Sequence, residues 1–246
     1  MIVPAAAALL ASFVVAGYFY AHRTPKLTDK DWIVLADFTN TTGDPVFDGT
    51  LRQGLAIQLE QSPFLGPASD ERIQKALMLM GQPKDARLTP ELARDVCERT
   101  ASATVLEGSM ASLGTAYVPG LRAKTCRTRD VLDEEQVQAA RKEDLLNVLS
   151  QIATRFRTRI GESLPTAQKH DTPLAEATTP SLEALKAYSA ASKVLSSGTG
   201  LAAAVPLFQR AIEIDTKFAM AYAALGLNYA FIPILGQAKA EYAKLQ

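Results

Sequence analysis

WIVLADFTNTTGDPVFDGTLRQGLAIQLEQS, residues 32–62, decides the fold. Trp32 to Phe38 is an apolar run and reads as a buried strand. A polar loop with Gly43, Pro45 and Gly49 follows. Then Leu51, Leu55, Ile57 and Leu59 mark an amphipathic helix, which Pro63 stops. Strand, tight polar loop and helix open an α/β unit. The loop holds the residue types a ligand site would use: Asn40, Asp44, Asp48 and several Thr. Two acids raise the question of Ca²⁺, but the ligand spacing and closing Glu of an EF-hand are absent. Two glycines raise the question of phosphate, but no Gly-Lys-Ser/Thr follows. Asn40, Asp44 and Asp48 therefore stand as a candidate ligand loop, because α/β folds take ligands beyond the carboxyl ends of strands. The competing reading is a turn whose Asp and Thr side chains cap the helix. Asn40-Thr41-Thr42 also matches an N-glycosylation acceptor, a frequent chance match.

Downstream, Phe64–Ala68 is expected to add a short second strand. Ser69 or Asp70 should cap a helix over Glu71–Met80, carrying Ile73 and Leu77 and closed by Gly81. Thr89-Pro90-Glu91 is a strong helix start, with Thr89 as N-cap and Pro90 at the first helical position. Leu92, Val96 and Cys97 should face inward. Ala103–Met110 and Ala116–Lys124 then read as an antiparallel hairpin turning near Leu113-Gly114. Pro119 predicts that the second arm is an edge or is bulged. Val131–Ala139 reads as a further strand whose polarity fits an exposed edge, with a helix as the alternative. Lys142–Ile160 is an amphipathic helix ended by Gly161. The expectation is an α/β domain over 32–161 with about four or five strands. Residues 162–180, with Pro165, Pro173, Pro180 and many Ser and Thr, read as a linker.

From Ser181 the pattern is helical and repeats. Tyr188, Ala204, Phe208 and Ala211 recur 34 residues later as Tyr222, Ala238, Tyr242 and Leu245. A period of 34 resembles the tetratricopeptide repeat. Thr216 stands where that pattern usually has Pro, and Ala191-Ser192 where it has Leu-Gly. Residues 181–246 are thus expected to form tetratricopeptide-like repeats, the second incomplete. Repeat grooves bind extended or helical segments on a concave face, which makes Tyr188, Tyr222 and Asn228 candidate partner contacts.

Upstream, Ile2–Tyr20 runs nineteen residues without a charge. About twenty apolar residues cross a bilayer core, so residues 1–22 are expected to form a transmembrane helix, with 23–31 a linker. A cleaved signal peptide is the alternative, weakened because no Lys or Arg precedes the run. His22, Arg23 and Lys26 follow the span, a charge bias that alone would keep the bulk of the chain in the cytoplasm. The span starts at residue 2, leaving no flank to compare, and an upstream portion is expected.

Lys plus Arg and Asp plus Glu are both 26, so net charge is zero and the footprint of a nucleic-acid binder is missing. Two Cys and two His leave almost no room for a Cys/His metal site. No Ser-His-Asp, kinase or nucleotide-loop signature is present, so neither catalytic residues nor a cofactor is expected. Cys97 and Cys126 fall at the same end of the hairpin, residue 126 being expected opposite 101. That geometry admits a disulfide, which needs an oxidising compartment. The alternative is two unlinked thiols.

The stretch VLADFTNTTGDPVFDGTLRQGLAIQLEQSPF, with DERIQKALMLMG, ELARDVCERTASATVLEGSM and the closing amphipathic helix, resembles the TolB-amino-terminal-like domain. A span before it and tetratricopeptide repeats after it resemble the extracytoplasmic part of bacterial transmembrane serine/threonine protein kinases. Related layouts occur in membrane-bound winged-helix regulators and adenylate cyclases. The resemblance implies a single-pass inner-membrane protein with its bulk in the periplasm, in agreement with a Cys97–Cys126 bridge and against the flanking-charge signal. It implies no catalytic residue here. The expected role is a membrane-anchored, non-enzymatic sensor or scaffold for protein or peptide partners, or a regulatory fragment of such a kinase or regulator.

Overall fold

Strand β1 (Trp32–Leu35) is buried on both faces: Ile33 and Leu35 point into one hydrophobic cluster, Val34 and Ala36 into another. A strand covered on both sides reads as a continuous apolar run. The computed structural model describes residues 32–198 and 200–243, with side chains as far as residue 232. The membrane span expected over residues 1–22 and the linker at 23–31 lie outside the described residues. Among the described residues no helix is long and apolar enough to cross a membrane.

After β1 come β2 (Thr39–Asn40), a 3-10 turn (Pro45–Phe47), α1 (Thr50–Glu60), β3 (Gly66–Pro67), α2 (Asp70–Leu79) and α3 (Pro90–Arg99). Next are β4 (Thr104–Leu113), β5 (Ala116–Thr125), β6 (Val131–Gln136), a 3-10 turn (Lys142–Asp144) and α4 (Leu145–Arg159). Two short helices, α5 (Leu164–Lys169) and α6 (Leu174–Ala177), lead to α7 (Leu182–Ser196), α8 (Leu201–Ile214) and α9 (Ala219–Ala243). The strands form one mixed sheet in the order β3-β1-β4-β5-β6, with β2 also on β4. The β1, β2, β3 and β4 pairings are parallel, and β4-β5-β6 is an antiparallel meander. The chain is thus α/β with a mixed sheet. Helices α1 and α4 cover one face, α2 and α3 the other.

Several expectations are corrected. Trp32–Phe38 is not one strand. Leu35 pairs with Leu106 but Thr39 with Ser109, so residues 36–38 carry one residue more than β4 does. This is a bulge, which bends a strand and re-aims its side chains. Phe38 is turned so that its ring lies on Gly108, where a Cβ would come within 2.3 Å of it. Gly108→Ala is therefore expected to lower stability by about 1–3 kcal/mol through overpacking. Urea denaturation should show a lower midpoint with an unchanged slope; an unshifted midpoint would refute the close fit.

The second hairpin arm is internal, since β5 lies between β4 and β6. Pro119 is accommodated on the β6 side, where regular pairing stops at Gly120–Gln136 and resumes as a single bridge between Tyr117 and Ala139. The Pro119 carbonyl still accepts from the Val137 N–H at 3.1 Å. The expected four or five strands number six among the described residues, because the bulge splits the first.

Residues 162–180, read as a linker, hold α5 and α6 and lie against the body. Ser163 caps α5 by accepting from the Thr166 N–H, with a proline in the first turn. The Ser and Pro that signalled a loop thus start a helix instead. Leu174 of α6 is fully buried. At Gly54, in mid-α1, an added Cβ would meet Leu174 at 2.9 Å, Leu149 at 3.4 Å and Leu185 at 3.5 Å. A residue without a side chain lets α4, α6 and α7 all close on α1. The main cluster accordingly includes Leu182, Leu185, Ala211 and Phe218 beside the sheet residues.

Candidate functional site

The Thr39–Thr50 loop is wired to itself. The Asn40 amide donates to the Asp44 carbonyl at 2.9 Å and to an Asp48 carboxylate oxygen at 3.0 Å. Its own Oδ1 accepts from the Thr42 N–H and hydroxyl. Asp44 accepts from the Val46 N–H at 2.9 Å, capping the 3-10 turn, and from Lys142 Nζ at 2.8 Å. That Lys142 hydrogen bond, with the Val46 amide, holds the Asp44 carboxyl below its ordinary range. Local Asx hydrogen bonds of this sort build turns. Asn40 and Asp44 thus serve the loop's own shape, with Lys142 anchoring it to the start of α4. Among the described residues no group of three His, Cys, Asp or Glu is placed to hold a metal ion.

Cys97 and Cys126 are joined by a disulfide, their Cα atoms 6.0 Å apart. The hairpin register puts residue 126 beside 103, not 101, and the Cys126 N–H donates to the Ala103 carbonyl at 3.1 Å. The difference arises because the turn sits at residues 114–115, one place later than read. Both cysteines are buried in the cluster of α2, α3 and the sheet. The bridge ties α3 to the hairpin.

The three candidate partner contacts are not brought together on one open face. Tyr188 is a core aromatic: its ring centroid lies 5.5 Å from that of Phe208 and 5.1 Å from that of Phe218. Burial pushes its phenol pKa up. Asn228 is buried and its amide donates to the Ala224 carbonyl at 2.8 Å. Tyr222 is exposed. Helices α7 and α8 form a hairpin around Ala191, Ala204 and Phe208, the small-against-large contact that the 34-residue register leads one to expect. The register does not carry through. Where the first copy turns at Ser197 and Gly198 (φ +75°), Phe231 and Ile232 stand 34 residues on, and α9 runs through them as one helix. The expected repeat positions Ala238 and Tyr242 fall beyond the last described side chain, and Leu245 lies outside the described residues.

What the structure does gather is apolar surface on α9. Ala221, Ala224, Leu225 and Asn228 turn inward, while Tyr222, Leu227, Tyr229 and Phe231 are exposed. On a helix of 3.6 residues per turn Leu227 and Phe231 share one flank of α9, while Tyr222 and Tyr229 lie on the other, where the Tyr229 hydroxyl accepts from Gln209 at 3.0 Å. Leu227 and Phe231, one turn apart and both exposed, make apolar surface of the kind that marks interaction sites. Leu227, Tyr229 and Phe231 were missed from the sequence. The signal was there: AALGLNYAFI has almost no polar face, and a helix apolar all round needs cover on every side.

No protein-family model matches this sequence. No curated protein matches it significantly. Among solved structures, the C-terminal domain of LpoB from Salmonella enterica aligns over 51% of this chain and 91% of its own, at 13% identity and a TM-score of 0.42. Lipoprotein GNA1162 from Neisseria meningitidis aligns over 54% of this chain and 98% of its own, at 14% identity and a TM-score of 0.39. TolB from Acinetobacter baumannii aligns over 55% of this chain and 30% of its own, at 11% identity and a TM-score of 0.37.

Proposed function

We propose that this protein is a membrane-tethered, non-catalytic binding module that offers the exposed side of α9 to a protein partner. The observation that carries the reading is the exposed pair Leu227 and Phe231, one turn apart on a flank of α9 whose inward side, at Ala221, Ala224, Leu225 and Asn228, is packed. The apolar stretch Ile2–Tyr20 supports tethering, and the Cys97–Cys126 bridge supports a periplasmic setting. In this reading the α/β body is a stand and the helices are the hand. The resemblance of the sequence to the region that follows the span in transmembrane serine/threonine kinases supports a sensor role. On that same layout, the second reading is a regulatory segment of such a kinase or of a membrane-bound transcription regulator; an in-frame kinase domain in the DNA upstream of Met1 would favour it.

The test is a photocrosslinking residue at position 227 in the full chain, in its own envelope. A discrete crosslinked protein is expected, and it should be lost with Phe231→Glu and kept with Tyr222→Glu on the other flank. Each is a surface change expected to alter stability by no more than about 0.5 kcal/mol. Crosslinking that survives Phe231→Glu would refute Leu227 and Phe231 as the contact. An alkaline phosphatase fusion at Gln246 should be active if the bulk of the chain is periplasmic.

A further inference from the structure

Beyond the carboxyl end of β1 lies a cleft of about 400 Å³. The topology places it. From β1 the chain passes through α1 to β3 on one side, then returns through α2 and α3 to β4 on the other. With α1 on one face of the sheet and α2 on the other, a crevice opens where the two connections part. The bulge at residues 36–38 turns Asp37 into this crevice, and α7 closes it from above with Lys186, Ser189 and Lys193.

Five cationic side chains line the cleft: Arg52, Lys84, Arg87, Lys186 and Lys193. Four carboxylates oppose them, Asp37, Asp48, Asp70 and Asp85. Two of the four are already engaged. Asp37 accepts from the Leu88 N–H at 2.8 Å and lies 3.4 Å from Arg52 Nε, and Asp48 accepts from Asn40. Lys84, Lys186 and Lys193 make no ion pair among the described residues. The α1 N-terminus also opens here. Its N-cap, Gly49 (φ +78°), has no side chain to satisfy the first amides of the helix, and it faces Ser189 of α7. Unsatisfied amides at a helix start, with the helix dipole behind them, attract a compact anion. Three lysines supply point charges and Arg52 and Arg87 supply planar forks, donors that suit the several oxygens of a phosphate. Ile73, Leu77 and Ala190 add apolar wall for the rest of a small molecule.

We infer that this cleft binds a small organic phosphate, held between the α1 N-terminus and Arg52 on one wall and Lys186 and Lys193 of α7 on the other. The inference is independent of the protein-binding face on α9. The ligand bridges the α/β body and α7, so occupancy stabilises their contact.

The test is thermal unfolding and calorimetric titration of the full chain in detergent, with glycerol 3-phosphate, inorganic phosphate and succinate as probes. Glycerol 3-phosphate at ten times its Kd should raise Tm by about 3–6 °C. Lys186→Glu with Lys193→Glu should weaken it by about tenfold or more, while Lys169→Glu, on α5 away from the cleft, should leave it unchanged. The Tm of each unliganded variant separates misfolding from lost binding. If the Lys186/Lys193 variant misfolds, Lys84→Glu serves instead and should weaken binding severalfold. Inorganic phosphate alone acting equally well would show a free-anion site and overturn the organic part of the assignment. Succinate acting as well as the phosphates would overturn the phosphate class. No shift with any probe at millimolar concentration, or shifts that survive the lysine substitutions, would overturn the site.

Discussion

Arg157→Leu is expected to lower the free energy of unfolding by about 3–5 kcal/mol, the cost of breaking a buried ion pair from one side. Arg157 is fully buried, and its Nε and a terminal nitrogen each donate to Glu162 at 2.8 Å. The other terminal nitrogen donates to the His170 carbonyl at 3.0 Å. Glu162, 4% exposed, also accepts from the Ser62 hydroxyl at 2.7 Å. That hydroxyl in turn accepts from the Phe64 and Leu65 N–H groups, just before β3. Two stretches a hundred residues apart thus meet on one carboxylate. Removing the arginine strands a buried charge with a single hydroxyl donor. Replacing both partners, Arg157→Met with Glu162→Leu, should recover most of the loss, because the pair's desolvation cost disappears with it. Urea unfolding of the single and double variants measures both; a single variant that loses well under about 3 kcal/mol would contradict the buried pair.

The same pair sets a pH dependence. Burial pushes the Glu162 pKa up, but the hydrogen bonds from Arg157 and Ser62 outweigh it and hold the carboxyl below its ordinary 4.5. A group whose folded pKa is depressed contributes stability above its unfolded pKa and loses it as pH falls through the folded one. Stability should therefore be flat from neutral pH to about 5 and decline below that, more shallowly in the double variant.

Breaking the Cys97–Cys126 bridge is the second large effect. The cysteines are 29 residues apart. Closing a loop of that length removes unfolded-state entropy worth about 3–4 kcal/mol in the chain-entropy model. In a chain of this size Tm should fall by about 7–14 °C for Cys97→Ala with Cys126→Ala. Reductant should lower the parent's Tm similarly and leave the double variant's unchanged. A parent insensitive to reductant under unfolding conditions would show that the bond does not form.

Much of the body was legible because its signals are local. Thr89-Pro90 starts α3, Ser69 caps α2, and the spacing of Leu145, Leu149, Ile152 and Phe156 gives the inner face of α4. The hairpin followed from Leu113-Gly114 between two apolar runs. What was lost depends on contacts between distant residues. The bulge at residues 36–38 arises from the fit of Phe38 on Gly108, seventy positions on, and no local pattern announces it. Glu162 looks like a solvated charge until Ser62 and Arg157 are placed beside it. The Pro, Ser and Thr of residues 162–180 mark helix starts as well as loops, and composition alone favours the loop. Asn40, Asp44 and Asp48 form the turn that local chemistry suggests. The cleft's Lys84, Lys186 and Lys193 come from two elements a hundred residues apart and share no motif.

Helix α7 joins both parts of the molecule. Leu182, Ala184 and Leu185 at its start belong to the core of the body, and Ala191 further along belongs to the hairpin. It is a rod of fifteen residues, about 22 Å long. A rod clamped at one end works as a lever: turning its base by roughly 10° swings its tip by about 4 Å over that length. Bending the rod instead would break its backbone hydrogen bonds, so motion at the base reaches α8 and α9 geometrically enlarged.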